Sequence, residues 1–104
     1  MARFDIFPNP IVEDRLAFPY ILEIQSDLLY RFAERVCVPL VCDQTIPGLT
    51  DRFNPLLVVH GEAVRLHPLG IAVFYVSELR ACVGSARAHA LDIEAALDML
   101  LRGY

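Results

Sequence analysis

The chain has 104 residues, of which 56% are hydrophobic and 21% charged, with a mean hydropathy of +0.45. One domain over residues 1–104 with one modest core is expected, and intrinsic disorder is excluded. Nine arginines, no lysine and thirteen acidic residues leave a net charge of −4, which argues against nonspecific nucleic-acid binding.

Arg3-Phe4-Asp5-Ile6-Phe7 alternates polar and apolar, predicting a half-buried strand that Pro8-Asn9-Pro10 stops. Ile11 to Ala17 is mixed and charged, and reads as an exposed loop. Tyr20 to Gln25 alternates again, with Tyr20, Leu22 and Ile24 on one face. Gln25-Ser26-Asp27-Leu28-Leu29 leads from polar residues into an apolar pair. It reads either as a turn anchoring two core leucines or as a surface feature. Val36 to Val41 predicts a buried strand, with a bulge or unpaired edge at Pro39.

Thr45 to Asn54 carries Pro47-Gly48 and reads as a loop. Leu56 to His60 and Ala63 to His67 predict a hairpin turning at Gly61-Glu62. Pro68-Leu69-Gly70 interrupts, and Ile71 to Val76 predicts a sixth strand. Ser85 is placed as the N-cap of a final helix. Ala90, Ile93, Leu97 and Leu100 recur at helical spacing, with Leu101 widening the stripe, and Gly103 stops the helix. Asp98 and Arg102 are four apart and predict a weak exposed ion pair. The expected fold is mainly β (α+β): a small barrel or sheet of about six antiparallel strands with a C-terminal helix packed on it.

The chemistry-bearing residues are sparse. His60, His67 and His89 lack partners at metal-ligand spacing and read as structural or surface groups. Cys37, Cys42 and Cys82 form neither a disulfide framework nor a zinc pattern. Cys37 reads as a buried small hydrophobe. Free thiols and no visible secretory signal suggest the cytoplasm. No apolar run approaches the roughly 20 residues that span a membrane. No motif calls for a metal, a cofactor or catalysis.

Four segments, in order and spacing, resemble the CcdB toxins of bacterial toxin–antitoxin modules. They are Gln25-Ser26-Asp27-Leu28-Leu29, Val36-Cys37-Val38-Pro39-Leu40, Asn54-Pro55-Leu56-Leu57-Val58-Val59-His60 and Asp92-Ile93-Glu94-Ala95-Ala96-Leu97. The resemblance covers nearly the whole chain. It implies an SH3-like barrel, shared with MazF toxins, that forms a homodimer. It further implies a protein that is no enzyme, but binds the A subunit of DNA gyrase and traps the cleaved-DNA complex. A CcdA-like antitoxin would neutralise it, and the pair would repress their own operon, the antitoxin alone gripping DNA.

The resemblance places gyrase binding on Arg102, Gly103, Tyr104, Leu28, Leu29 and Asp98. Arg102 stands where the family has tryptophan, and Tyr104 replaces isoleucine. Two other readings stay open. One is a MazF-like endoribonuclease using arginines of the 31–35 region, and the other a CcdB-fold protein that only binds antitoxin. Leu91, Ala95 and Met99, beside the main helical stripe, predict a symmetric dimer interface.

Overall fold

The computed structural model describes residues 2–103. Seven strands form one antiparallel sheet: β1 (Asp5–Pro8), β2 (Tyr20–Glu23), β3 (Glu34–Cys42), β4 (Leu56–Val59), β5 (Glu62–Leu66), β6 (Ala72–Tyr75) and β7 (Gly84–Ser85). The neighbour order is β4-β5-β3-β2-β1-β7, with β6 also paired to β3. The sheet curls into a nearly closed barrel, and one helix, α1 (Ala90–Arg102), follows it. This is the expected barrel with a C-terminal helix. No helix among the described residues is long and apolar enough to cross a membrane.

The central strands are buried on both faces, so their alternation sorts side chains into two cores. Ile6, Leu22, Val38 and Leu40 join Leu57, Val64 and Leu66 in the larger one, with Tyr20 and Ile24 packed against it. Phe7, Ile21 and Cys37 fall on the opposite face with Phe74 and Leu79. Burial pushes the Cys37 thiol up to about 12, so it stays a protonated small hydrophobe.

β3 is the long strand that β2, β5 and β6 share. One edge pairs with β2 over residues 37–40. The other pairs with β6 over residues 34–37 and with β5 over residues 40–42. Pro39 sits at that change of partner, where its missing N–H leaves no ladder bond unmade. Its carbonyl accepts from the His67 amide at 3.0 Å. The expected unpaired edge at Pro39 thus takes the form of a switch between two neighbours.

Gly70 closes tightly over this switch. A Cβ there would lie 2.6 Å from Pro39 Cγ and 3.1 Å from His67 Cδ2. Gly70→Ala is expected to destabilise the fold by about 1–3 kcal/mol, the usual cost of overpacking. Urea denaturation measures it. A wild-type midpoint would mean that the proline ring yields freely.

Several local expectations are corrected. Phe4 is not in the first strand: it has a positive φ of 74° and precedes it. The hairpin turns at His60-Gly61, not Gly61-Glu62. Both have positive φ (50° and 78°), matching the twist of the flanking strands. β7 adds a seventh strand, pairing with Asp5 and Ile6. Ser85 belongs to β7 and is not the helix N-cap. Its hydroxyl accepts from the Arg87 amide at 3.1 Å, one 3₁₀ turn before α1 begins. Ile93, Ala96 and Leu97 are the buried residues of α1, whereas Leu101 is 73% exposed and does not widen the stripe. Gly103 ends the helix as expected, at φ 84°, donating to the Met99 carbonyl.

His67 stacks tilted on Phe18, with its Nδ1 buried and unpartnered among the described residues. Burial lowers its pKa below the ordinary 6.5. The unfolded chain therefore takes up this proton first as pH falls. The stability tied to a neutral His67 is complete above about 6.5 and is lost below it. Glu23 has the opposite sign, since burial raises its pKa above 4.5 despite nearby Arg35. His67→Phe keeps a ring beside Phe18 and is expected to lose less stability than wild type between pH 7 and 5. Urea midpoints at the two pH values measure this, and identical losses would refute the assignment to His67.

Candidate functional site

Arg3 stitches the end of β2 to α1. Its backbone N–H donates to Asp27 Oδ1 at 2.8 Å and its Nε to the Ile24 carbonyl at 2.9 Å. Its Nη1 reaches Glu94 Oε2 on the helix at 3.0 Å. The stitch is possible because Arg3 precedes β1, the strand beside β2, while α1 lies over the same core face. An open groove results, lined by Arg3, Ile24, Glu94, Asp98, Leu101 and Arg102.

The segment after β2 is the second part of the site. Ser26 caps a 3₁₀ turn over Asp27–Leu29, its hydroxyl accepting from the Leu28 amide at 3.2 Å. The two leucines are not core anchors. Leu28 is 87% exposed and Leu29 is 44% exposed. Tyr30 and Phe32, which the sequence reading passed over, are exposed beside them. Such a run of apolar surface marks a contact site more often than an accident of folding.

At the end of α1, Arg102 Nη2 donates to Asp98 Oδ1 at 3.3 Å, the expected i,i+4 pair. Both side chains are well exposed, so the pair is weak and screened by salt. Asp98 lies one helix turn beyond Glu94, the helix residue that Arg3 bonds while its own N–H holds Asp27. The structure thus links Asp98, Arg102 and Gly103 to the segment bearing Leu28 and Leu29. Tyr104 lies outside the described residues.

The two arginines of the 31–35 region differ, Arg31 being exposed and Arg35 turned inward. Arg35 is buried, and its guanidinium donates to the carbonyls of Tyr30, Phe32 and Glu34. Its Nε faces buried Glu23 at 3.7 Å. Arg35 is therefore unavailable to a phosphate backbone, and Arg31 is the exposed arginine of this region. Among the described residues no group of His, Cys, Asp and Glu could hold a metal ion. His60 hydrogen-bonds the Val83 carbonyl at 3.1 Å, and Cys42 Sγ lies 3.2 Å from Glu62 Oε2.

A comparison with characterised proteins returns no match. The model of the CcdB protein family matches residues 3–103, which takes in every strand, the helix and the linked site described above. The chain therefore belongs to the CcdB family, toxins of toxin–antitoxin modules that act on gyrase.

Proposed function

We propose that this single-domain chain binds the A subunit of DNA gyrase and traps it with its DNA cleaved, acting by binding and not as an enzyme. The observation that carries the reading is the Arg3 stitch. It sets the apolar residues Leu28 and Leu29 and the helix end Asp98, Arg102 and Gly103 on connected elements. Tyr104, outside the described residues, belongs to the proposed binding set by the family resemblance alone. A CcdA-like antitoxin would neutralise the toxin in the cytoplasm and supply the DNA contact for operon repression. The acidic charge of this chain accords with that division of labour.

A homodimer is part of the proposal. Leu91 and Ala95 on α1 are exposed, and a twofold interface would cover them. Expression of the chain alone in bacteria tests the whole reading. Growth arrest with gyrase-linked DNA breaks is expected, relieved by the antitoxin. Growth without arrest, or arrest without breaks, would refute it.

One observation favours a second reading, a CcdB-fold protein that binds antitoxin without poisoning gyrase. Arg102 occupies the family's tryptophan position and lies along the helix against Asp98. Antitoxin binding without gyrase binding would select this reading.

A further inference from the structure

The segment between β2 and β3 turns its side chains and its carbonyls in opposite directions. Leu28, Leu29, Tyr30 and Phe32 face solvent. The carbonyls of Leu29, Tyr30, Phe32 and Glu34 face inward, onto two buried polar side chains. Gln25 Nε2 donates to Leu29 O at 3.4 Å and Glu34 O at 3.1 Å, while its Oε1 accepts from the Val36 amide at 2.9 Å. Arg35 Nη2 donates to Tyr30 O at 2.8 Å, and Nη1 to Glu34 O at 2.9 Å and to Phe32 O.

Most of this segment lies outside the strand ladders, so cross-strand pairing does not hold its shape. Left to itself, a loop with four large apolar side chains gains by folding them under. Pinning its carbonyls to a buried fork prevents that rotation and leaves the side chains outside. A buried arginine is an expensive way to add stability, because desolvation offsets most of the attraction to Glu23. A planar fork that spans three carbonyls is, however, something only arginine provides.

We propose that Arg35 is the positioning residue of the gyrase-binding surface. Its guanidinium holds the carbonyls of Tyr30 and Phe32, and so fixes the backbone form that presents Tyr30, Phe32 and the Ser26-capped turn bearing Leu28 and Leu29 to the A subunit. This rests on the binding role proposed above for Leu28 and Leu29. It adds Tyr30 and Phe32 as aromatic contacts in a chain that has no tryptophan.

Two variants test it. Arg35→Lys keeps a positive charge near Glu23, but its compact ammonium lacks the planar fork. Should that variant fold poorly, the double variant Glu23→Met/Arg35→Met removes both charges and keeps the volume apolar. Amide exchange is read at Leu29, Tyr30 and Phe32, with Val38 and Leu40 as core references. Affinity for the purified gyrase A subunit is read at matched folded concentration.

Loop exchange is expected to rise at least about tenfold while the core references hold. Affinity is expected to fall at least about tenfold. Unchanged loop exchange overturns the clamp. A loosened loop that binds as well as wild type overturns the positioning role. A wild-type chain that binds no A subunit overturns the function proposed above and the partner named here, while loop exchange still decides the clamp by itself.

Discussion

Ile93→Ala is expected to lower stability by about 2–5 kcal/mol, read as a lower urea midpoint. Ile93 is fully buried and lies in the same cluster as Leu22, Val38 and Val64. Only Ala96 and Leu97 share with it the buried face of α1. Truncation removes the most deeply buried large side chain of the helix and leaves a cavity between helix and sheet. The rigid two-sided core offers little that can move in to fill it. Leu101→Ala is the control: that side chain is largely exposed, and its loss is expected to stay within about 0.5 kcal/mol. Equal effects at the two positions would contradict the way α1 docks. The Ile93 variant should also bind gyrase more weakly than its folded fraction explains, since Glu94 and Asp98 ride on the same helix.

Arg102→Trp is expected to raise affinity for the gyrase A subunit by about 2 kcal/mol, roughly thirtyfold. The substitution gives up a weak exposed ion pair with Asp98. In return the helix end gains a flat apolar face that can fill a pocket or stack on a cation. Fold stability should barely change, because position 102 is solvent-exposed at the last turn of α1. Titration of the A subunit with both proteins, alongside growth arrest on expression, provides the measurement. Equal affinities would show that a ring at this position contributes nothing here, and would shift the aromatic contribution to Tyr30 and Phe32.

Six strands and the helix are legible in the residue order, some by their period and others, Val36 to Val41 and Ile71 to Val76, as unbroken apolar runs. Tyr20, Leu22 and Ile24 meet the larger core as their alternation predicts, and Gly103 takes the left-handed form that a helix stop requires. β7 was not legible. Gly84 and Ser85 have no large apolar side chain, and only backbone pairing with β1 makes them a strand. Ser85 failed as a helix cap for the same reason: pairing with Asp5 claims it first. Leu101 falls in the apolar stripe by spacing, but periodicity carries no information on how wide a surface the sheet offers.

The site was half legible. Leu28 and Leu29 stood out as an apolar pair after polar residues, but whether they faced inward depended on Gln25 and Arg35. Those two look like ordinary surface residues in sequence. Their burial arises only when the loop folds back over them and β6 pairs alongside β3. Arg3 reads in sequence as a polar position in a strand, and its reach to Asp27 and Glu94 is a tertiary event.

The Arg3 stitch has a consequence for how the protein is made. It joins a residue translated before β1 to a helix translated after β7. A ribosome that stalls anywhere between β3 and β7 releases a product bearing the apolar loop without Glu94, Asp98 or Arg102. Such a fragment holds half of the proposed binding surface and lacks the helix that packs against the barrel. Partial translation products of this toxin should therefore be harmless to the cell that makes them, and toxicity should arise only as α1 docks.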